Sequence, residues 1–194
     1  MHKPFSQTLV FILLSTIMLL TTSCAKQDSR CTNLMGNGRY CLQPTSAVAP
    51  FDLQQKIEVT INNKNETMVT EVAVNAVDMQ LIGLTPFGHK LVHINYDNDE
   101  AKAVLSPDSR LDPALMIAMI QLALWPVESV RKGLGEALLL EESAGHRRYL
   151  SNSKLVLEVH YVNADTPSNK FHLSFPSVGL MLDIETLPEI ERVQ

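Results

Sequence analysis

Three cysteines are the residues of this chain best suited to covalent chemistry. Two of them, Cys31 and Cys41, flank a turn-rich stretch at residues 35–39, so their thiols can meet across a short loop. In an oxidising compartment, a disulfide closing that loop would contribute about 2–3 kcal/mol to stability. The spacing favours this disulfide over two free thiols. Zinc is not predicted, because no pair of histidines follows at a finger-like distance.

The third cysteine, Cys24, follows a sequence typical of bacterial secretory signals. A weakly basic start at residues 2–3 precedes an apolar run over residues 9–20, and the small residues Thr22 and Ser23 lead into the cysteine. The apolar run is too short to span a bilayer unaided. These residues resemble the bacterial lipobox, which implies cleavage before Cys24 and attachment of acyl chains to its thiol and its freed amine.

The lipid anchor defines the expected location and the first two segments. Residues 1–23 are predicted to be a signal peptide, and residues 24–52, which are poor in apolar residues, a lipidated tether. Several acyl chains give essentially permanent membrane attachment. The second residue after Cys24 is Lys26, and not the Asp that resembles an inner-membrane retention signal. We therefore expect the periplasmic face of the outer membrane, with an ordinary cleaved signal and an incidental cysteine as the alternative.

The other polar residues give little sign of catalysis or of metal binding. The Gly-x-Ser-x-Gly elbow of serine hydrolases does not occur. Gly-Leu-Gly at residues 133–135 follows a predicted helix, whereas a phosphate-binding loop opens one. His89 and His93 share one side of a predicted strand, but no third metal ligand is identifiable near them. The sequence predicts no enzyme, no metal site and no cofactor.

Composition excludes two further classes of protein. The formal net charge is −5 and no clustered cationic face occurs, so nucleic acid is not an expected partner. No second apolar stretch is long enough to cross a bilayer. After the signal is removed, the remaining length fits one domain, which we place at residues 53–194.

Alternating apolar and polar residues predict strands on both sides of the middle of the chain. Ile57, Val59 and Ile61 alternate with polar residues, as do Phe171 and Leu173 further on. Turn-forming Pro, Gly, Asn and Asp separate the runs. The predicted strands are residues 57–61, 68–77, 79–84, 89–96, 101–105, 138–141, 147–150, 154–162, 171–175 and 178–185.

The strongest helix signal covers residues 114–125. Asp112 can cap this helix, Pro113 suits its first position, and Pro126 ends it. Gln121 is the only polar residue along its length, so the helix lacks the polar face of a surface helix. Because it is too short to span a membrane, it must be covered by sheet, by a bound apolar molecule, or by both.

A short second helix is predicted at residues 127–134. Together these elements predict a mainly β (α+β) fold, in which a strongly curved antiparallel sheet of about 9–11 strands forms an open half-barrel over the apolar helix.

Two stretches carry a resemblance to known proteins. Residues 81–91, Leu-Ile-Gly-Leu-Thr-Pro-Phe-Gly-His-Lys-Leu, and the helix end Gln-Leu-Ala-Leu-Trp-Pro at residues 121–126 are similar to an uncharacterised family of Gram-negative lipoproteins encoded with aryl-polyene or fatty-acid-like biosynthetic genes. More distantly, the order of elements resembles the LolA and LolB lipoprotein carriers, whose half-barrel encloses acyl chains under a helical lid. The second resemblance implies a fold, and fold alone does not fix function.

These observations lead to two functional hypotheses. In the first, the membrane-anchored protein binds or transfers a lipid or acyl cargo, such as an aryl-polyene lipid or a lipoprotein, in its apolar concave face. In the second, it is a non-catalytic structural or assembly lipoprotein that docks other envelope proteins through an exposed strand edge. The residues predicted to contact an apolar ligand are Leu84, Met116, Ile117, Ile120, Leu124 and Trp125.

Overall fold

A computed structural model describes residues 29–34, 38–109 and 111–188 of the chain. The predicted signal peptide and the acylation site at Cys24 lie outside these residues, so both stay predictions. Within the described part of the chain, no helix combines the length and the apolar character needed to cross a membrane.

One antiparallel sheet of ten strands forms the body of the protein. Its strands are β3 (Phe51–Ile61), β4 (Lys64–Val74), β5 (Met79–Leu84), β6 (Lys90–Tyr96), β7 (Ala101–Leu105), β8 (Leu138–Ser143), β9 (His146–Ser151), β10 (Lys154–Tyr161), β11 (Lys170–Phe175) and β12 (Leu180–Thr186). They lie in the order β7-β6-β5-β4-β3-β12-β11-β10-β9-β8, so two meanders meet where β3 pairs with β12. The sheet is open, with β7 and β8 at its edges.

Two helices, α1 (Pro113–Leu124) and α2 (Val127–Gly133), connect the edge strands β7 and β8. The Asp112 side chain caps α1 by accepting a hydrogen bond from the Ala114 N–H at 2.9 Å. The predicted mainly β class, the antiparallel order and the positions of both helices are therefore confirmed.

The sheet bends around α1. The helix contacts β7, which is the first strand in the sheet order. The last turn of the helix accepts hydrogen bonds from Arg147 of β9, which is the ninth strand in that order. In a flat sheet those two strands would lie about 38 Å apart, whereas the 12 residues of α1 span only about 18 Å. Contact with both strands therefore requires a curved sheet.

A small hairpin covers the other side of α1. Its strands are β1 (Cys31–Asn33) and β2 (Arg39–Cys41), and the predicted disulfide joins Cys31 to Cys41 where the two residues lie opposite each other. Tyr40 and Leu42 are fully buried in the core. The expectation of a tether over residues 24–52 is therefore wrong for the described residues 29–34 and 38–52, which pack as a layer of the domain.

Gln121, the one polar residue of α1, fixes the helix to this N-terminal layer. Its Oε1 accepts a hydrogen bond from the Gln43 backbone N–H at 2.7 Å, and its Nε2 donates to the Gln43 carbonyl at 2.8 Å. The Tyr40 hydroxyl also donates to Gln121 Oε1 at 3.1 Å. The fully buried Gln121 amide thus provides hydrogen-bond partners for the backbone N–H and C=O of Gln43, which pair with no strand of the sheet.

Side chains of the sheet hold the last turn of α1. Arg147 Nη1 donates hydrogen bonds to the carbonyl groups of Leu122, Ala123 and Trp125, with donor–acceptor distances of 2.8–3.2 Å. The Tyr149 hydroxyl also donates to the Leu122 carbonyl, and the Tyr161 hydroxyl to the Ala123 carbonyl. A cation at a helix C-terminus also interacts favourably with the helix dipole. Burial raises the pKa of Tyr149 and raises that of Tyr161 to about 12, so both hydroxyls stay protonated and continue to donate.

Replacing Gln121 tests this attachment. The variant Gln121→Leu keeps the approximate volume but leaves the N–H and C=O of Gln43 buried without partners. We expect the free energy of unfolding, measured by urea denaturation, to fall by about 2–4 kcal/mol. The control is Gln54→Leu on the exposed face of β3, for which a change within about 0.5 kcal/mol is expected. Equal effects of the two variants would contradict the role assigned to Gln121.

Candidate functional site

A cavity of about 590 Å³ lies between α1 and the middle of the sheet. We call it the central cavity. Strands β3, β4 and β12 contribute most of its wall, and α1 covers it. The described residues that line it are Gln55, Ile57, Val59, Glu66, Met68, Thr70, Val72, Leu81, Leu91, Val92, Pro107, Leu111, Asp112, Leu115, Met116, Met119, Ile120, Phe171, Leu173, Leu180, Leu182 and Ile184.

The two faces of α1 have different surroundings, although both are apolar. Leu115, Met116, Met119 and Ile120 form a stripe at helical spacing that borders the central cavity and is only partly buried. The opposite stripe, which includes the fully buried Ile117, packs into the core. One face is thus fully covered by protein, and the other is only partly covered and borders the central cavity.

Two of the six predicted ligand contacts, Met116 and Ile120, line the central cavity. Ile117 and Trp125 do not, because both are fully buried in the core on the other side of α1. The Trp125 ring packs edge-on against Phe51 with the ring centroids 6.2 Å apart, and its Nε1 donates to the Pro44 carbonyl at 3.2 Å. A helix that is apolar all round gives no sequence signal to separate these two faces.

The remaining two predicted contacts also lie away from the central cavity. Leu124, at the end of α1, is half-buried against the core and is not one of the residues that line the cavity. Gly83 of β5 lies on the face of the sheet that is turned to the cavity. Because neighbouring residues of a strand point to opposite faces, Leu84, the last residue of β5, points to the other face. The sequence prediction named two helix residues that line the cavity and none of the strand residues that form most of its wall. The alternation of Phe171 and Leu173 already marked one inward-facing strand.

Burial along the strands shows which end of the central cavity is closed. On β3, Gln55 is buried, Ile57 is half-buried and Ile61 is exposed. On β4, Thr70 is buried and Glu66 is exposed. The closed end therefore lies at the level of Gln55 and Thr70, and the mouth lies toward the hairpin that joins β3 to β4.

Polar groups occur at both ends of an otherwise apolar lining. The carboxylates of Glu66 and Asp112 belong to exposed residues at the mouth. Gln55 and Thr70 lie at the closed end, on paired positions of β3 and β4. The wall between the two ends consists of aliphatic, aromatic and methionine side chains. This arrangement suits an apolar molecule.

The other motifs considered from the sequence have structural roles. A Cβ atom added to Gly133 would lie 2.4 Å from the Cys41 carbonyl oxygen, so this glycine permits close packing of α2 on the N-terminal layer. His89 is exposed and His93 is half-buried. In the described part of the chain, no group of three His, Cys, Asp or Glu side chains is arranged to hold a metal ion.

The structure also brings together three histidines that the sequence prediction did not connect. His146, His160 and His172 occupy paired positions on β9, β10 and β11, and their rings stack with centroids 4.3 and 5.7 Å apart. His172 also bonds the Asp183 carboxylate on β12. The three histidines are neighbours because of the register between their strands, which their spacing in the sequence does not reveal.

Enlarging one side chain on each face of α1 tests whether the central cavity is open space. Ile120→Phe adds volume toward the cavity, so we expect the free energy of unfolding to change by less than about 1 kcal/mol. Ile117→Phe adds the same volume to a packed core and is expected to lower it by about 1–3 kcal/mol. Urea denaturation of both variants measures the difference. A similar loss for both would mean that no space lies beside Ile120.

No curated protein matches the chain. A family model described as "Protein of unknown function (DUF3261)" matches residues 52–188. This match contains all of the described cavity-lining residues and both helices, whereas the β1–β2 hairpin precedes it. The chain therefore belongs to the DUF3261 family of proteins of unknown function.

Proposed function

We propose that the protein is a binding module which holds a lipid or acyl chain in the central cavity while it is anchored to the periplasmic face of the outer membrane through Cys24. The observation that carries this proposal is the stripe of four apolar side chains on α1, which is only partly buried and borders an apolar cavity of about 590 Å³. A volume of roughly 300–1,000 Å³ is usual for ligand pockets. The proposal assigns no catalytic step to the chain.

Apolar lining favours an apolar ligand because burial of apolar surface is worth about 25 cal/mol per Å² removed from water. Met68, Met116 and Met119 lie on opposite walls, on β4 and on α1. Unbranched thioether side chains adjust to ligands of different shape. These residues support binding of a flexible chain or of several related chains.

Exposed apolar side chains at the mouth end support exchange of such a ligand with a membrane. Phe87, at the tip of the β5–β6 turn, is 89% exposed. Ile61, Leu111 and Val178 are also exposed, in or beside turns at the same end of the sheet. An apolar rim would shorten the path of a lipid through water. The resemblance to lipoproteins encoded with aryl-polyene genes makes an aryl-polyene lipid, or the acyl chain of a lipoprotein, our proposed cargo.

The docking hypothesis has one observation in its favour. The sheet is open, so its edge strands β7 and β8 present backbone groups that no neighbouring strand pairs. Val104 and Leu139 on these strands are exposed. Strand addition by a partner protein could use such an edge. This mode gives no reason for an apolar cavity inside the domain, so we favour ligand binding.

The anchor is tested by the variant Cys24→Ala. Without the thiol no acyl chain can be attached, and we expect the protein to move from the membrane fraction to the soluble periplasmic fraction. Immunoblotting of the two fractions measures the change, and Cys31→Ala serves as the control that retains the anchor. Full retention of Cys24→Ala in the membrane would contradict acylation at this residue.

Ligand binding is tested with the apolar fluorophore N-phenyl-1-naphthylamine. We use the Cys24→Ala protein after organic extraction, because it can be handled without detergent. Saturable binding at about one site per chain is expected. Met119→Trp, which extends a large side chain into the central cavity, is expected to weaken binding at least about tenfold. Fluorescence titration provides both values.

The matched control for Met119→Trp is Leu139→Trp on β8, where the leucine is 58% exposed and remote from the cavity lining. We expect this variant to bind the fluorophore like the parent protein. Failure of the parent to bind at all would contradict the proposed function and favour the docking hypothesis. Equal effects of the two tryptophans would place the binding site elsewhere.

A further inference from the structure

The closed end of the central cavity carries two polar side chains that face each other across neighbouring strands. Gln55 of β3 and Thr70 of β4 are paired residues in the sheet, and each is only 3% exposed. Both line the cavity. They stand out because the residues around them in the wall, such as Val72 and Ile184, are apolar.

The hydrogen-bonding capacity of this pair is incompletely used. The Thr70 hydroxyl is buried without a hydrogen-bond partner. Gln55 Nε2 donates to Thr186 Oγ1 at 3.2 Å, while its Oε1 accepts no hydrogen bond from the described part of the chain. Buried polar groups in folded proteins almost always have partners, so the unpaired Thr70 hydroxyl, at the position paired with Gln55, is suited to a hydrogen-bonding group of a ligand.

The surroundings of the pair decide which chemical groups fit. No Lys, Arg or His is among the described residues lining the central cavity. A carboxylate or phosphate placed at the closed end would lose its hydration without gaining a counter-charge, which is strongly unfavourable. A hydroxyl or carbonyl carries no charge, and it can accept from the Thr70 hydroxyl; a hydroxyl can also donate to Gln55 Oε1.

We propose that Gln55 and Thr70 form a subsite for an uncharged hydrogen-bonding group at one end of an elongated apolar ligand. The ligand would enter with this group first, and its chain would lie along the stripe on α1. The inference rests on the proposed function and specifies its ligand class: a chain that ends in a hydroxyl or carbonyl group and not in an ionised one.

Competition with a chain alcohol tests the subsite. In the N-phenyl-1-naphthylamine assay, 1-decanol and decanoate at pH 8 are added as competitors. We expect decanol to displace the fluorophore and decanoate to do so at least about tenfold more weakly. In Thr70→Val, which keeps the shape but removes the hydroxyl, we expect the affinity for decanol to fall about 3- to 10-fold while the affinity for the fluorophore is kept.

Two further variants separate a subsite from a general effect on the fold. Thr70→Ser retains a hydroxyl and is expected to keep the preference for decanol. Thr67→Val, on the exposed face of the same strand, is expected to change neither affinity. Fluorophore binding with no preference for decanol, or with a preference that Thr70→Val leaves intact, would overturn the subsite alone. Absence of fluorophore binding would overturn the proposed function and the subsite with it.

Discussion

The polar contacts that hold α1 in place determine the rest of the structure. Hydrophobic burial has no direction, so an apolar helix of this kind could be covered equally well on any face. Its orientation is instead fixed by the hydrogen bond from the Thr32 hydroxyl of β1 to the Asp112 cap at its start, by Gln121 against the backbone of Gln43, and by Arg147 and the tyrosines of the sheet at its end. Hydrogen bonds are directional and costly to leave unmade, so these few contacts select one position.

That position explains why a cavity exists beneath an apolar helix. The N-terminal layer satisfies one face of α1 and the contacts of Arg147 and Tyr149 lie at its last turn. The opposite face then lies over the curved middle of the sheet, where its side chains are only partly buried and border the central cavity. Because the disulfide between Cys31 and Cys41 closes the hairpin within this layer, covalent and polar constraints act on the same side of the helix. The open side is the one left for a ligand.

Much of this fold could be predicted from the sequence, because local signals were strong. Pro113 and Pro126 bracket α1, and alternation such as that of Ile57 and Val59 identifies strands whose two faces differ. The division of α1 into a packed face and a cavity face could not be predicted, since Ile117 and Ile120 are the same residue type. The N-terminal hairpin could not be predicted either, because strands of three residues are too short to show an alternating pattern. The pairing of Gln55 with Thr70 depends on strand register, which one sequence does not show.

An apolar ligand should occupy the space between α1 and the sheet in the protein as it is found in the cell. Native mass spectrometry of protein isolated from its own membrane, before and after organic extraction, would detect it. We expect a mass excess of one bound molecule that extraction removes, together with the same apolar compound in the organic phase. An identical protein mass before and after extraction, with nothing apolar recovered, would contradict this expectation.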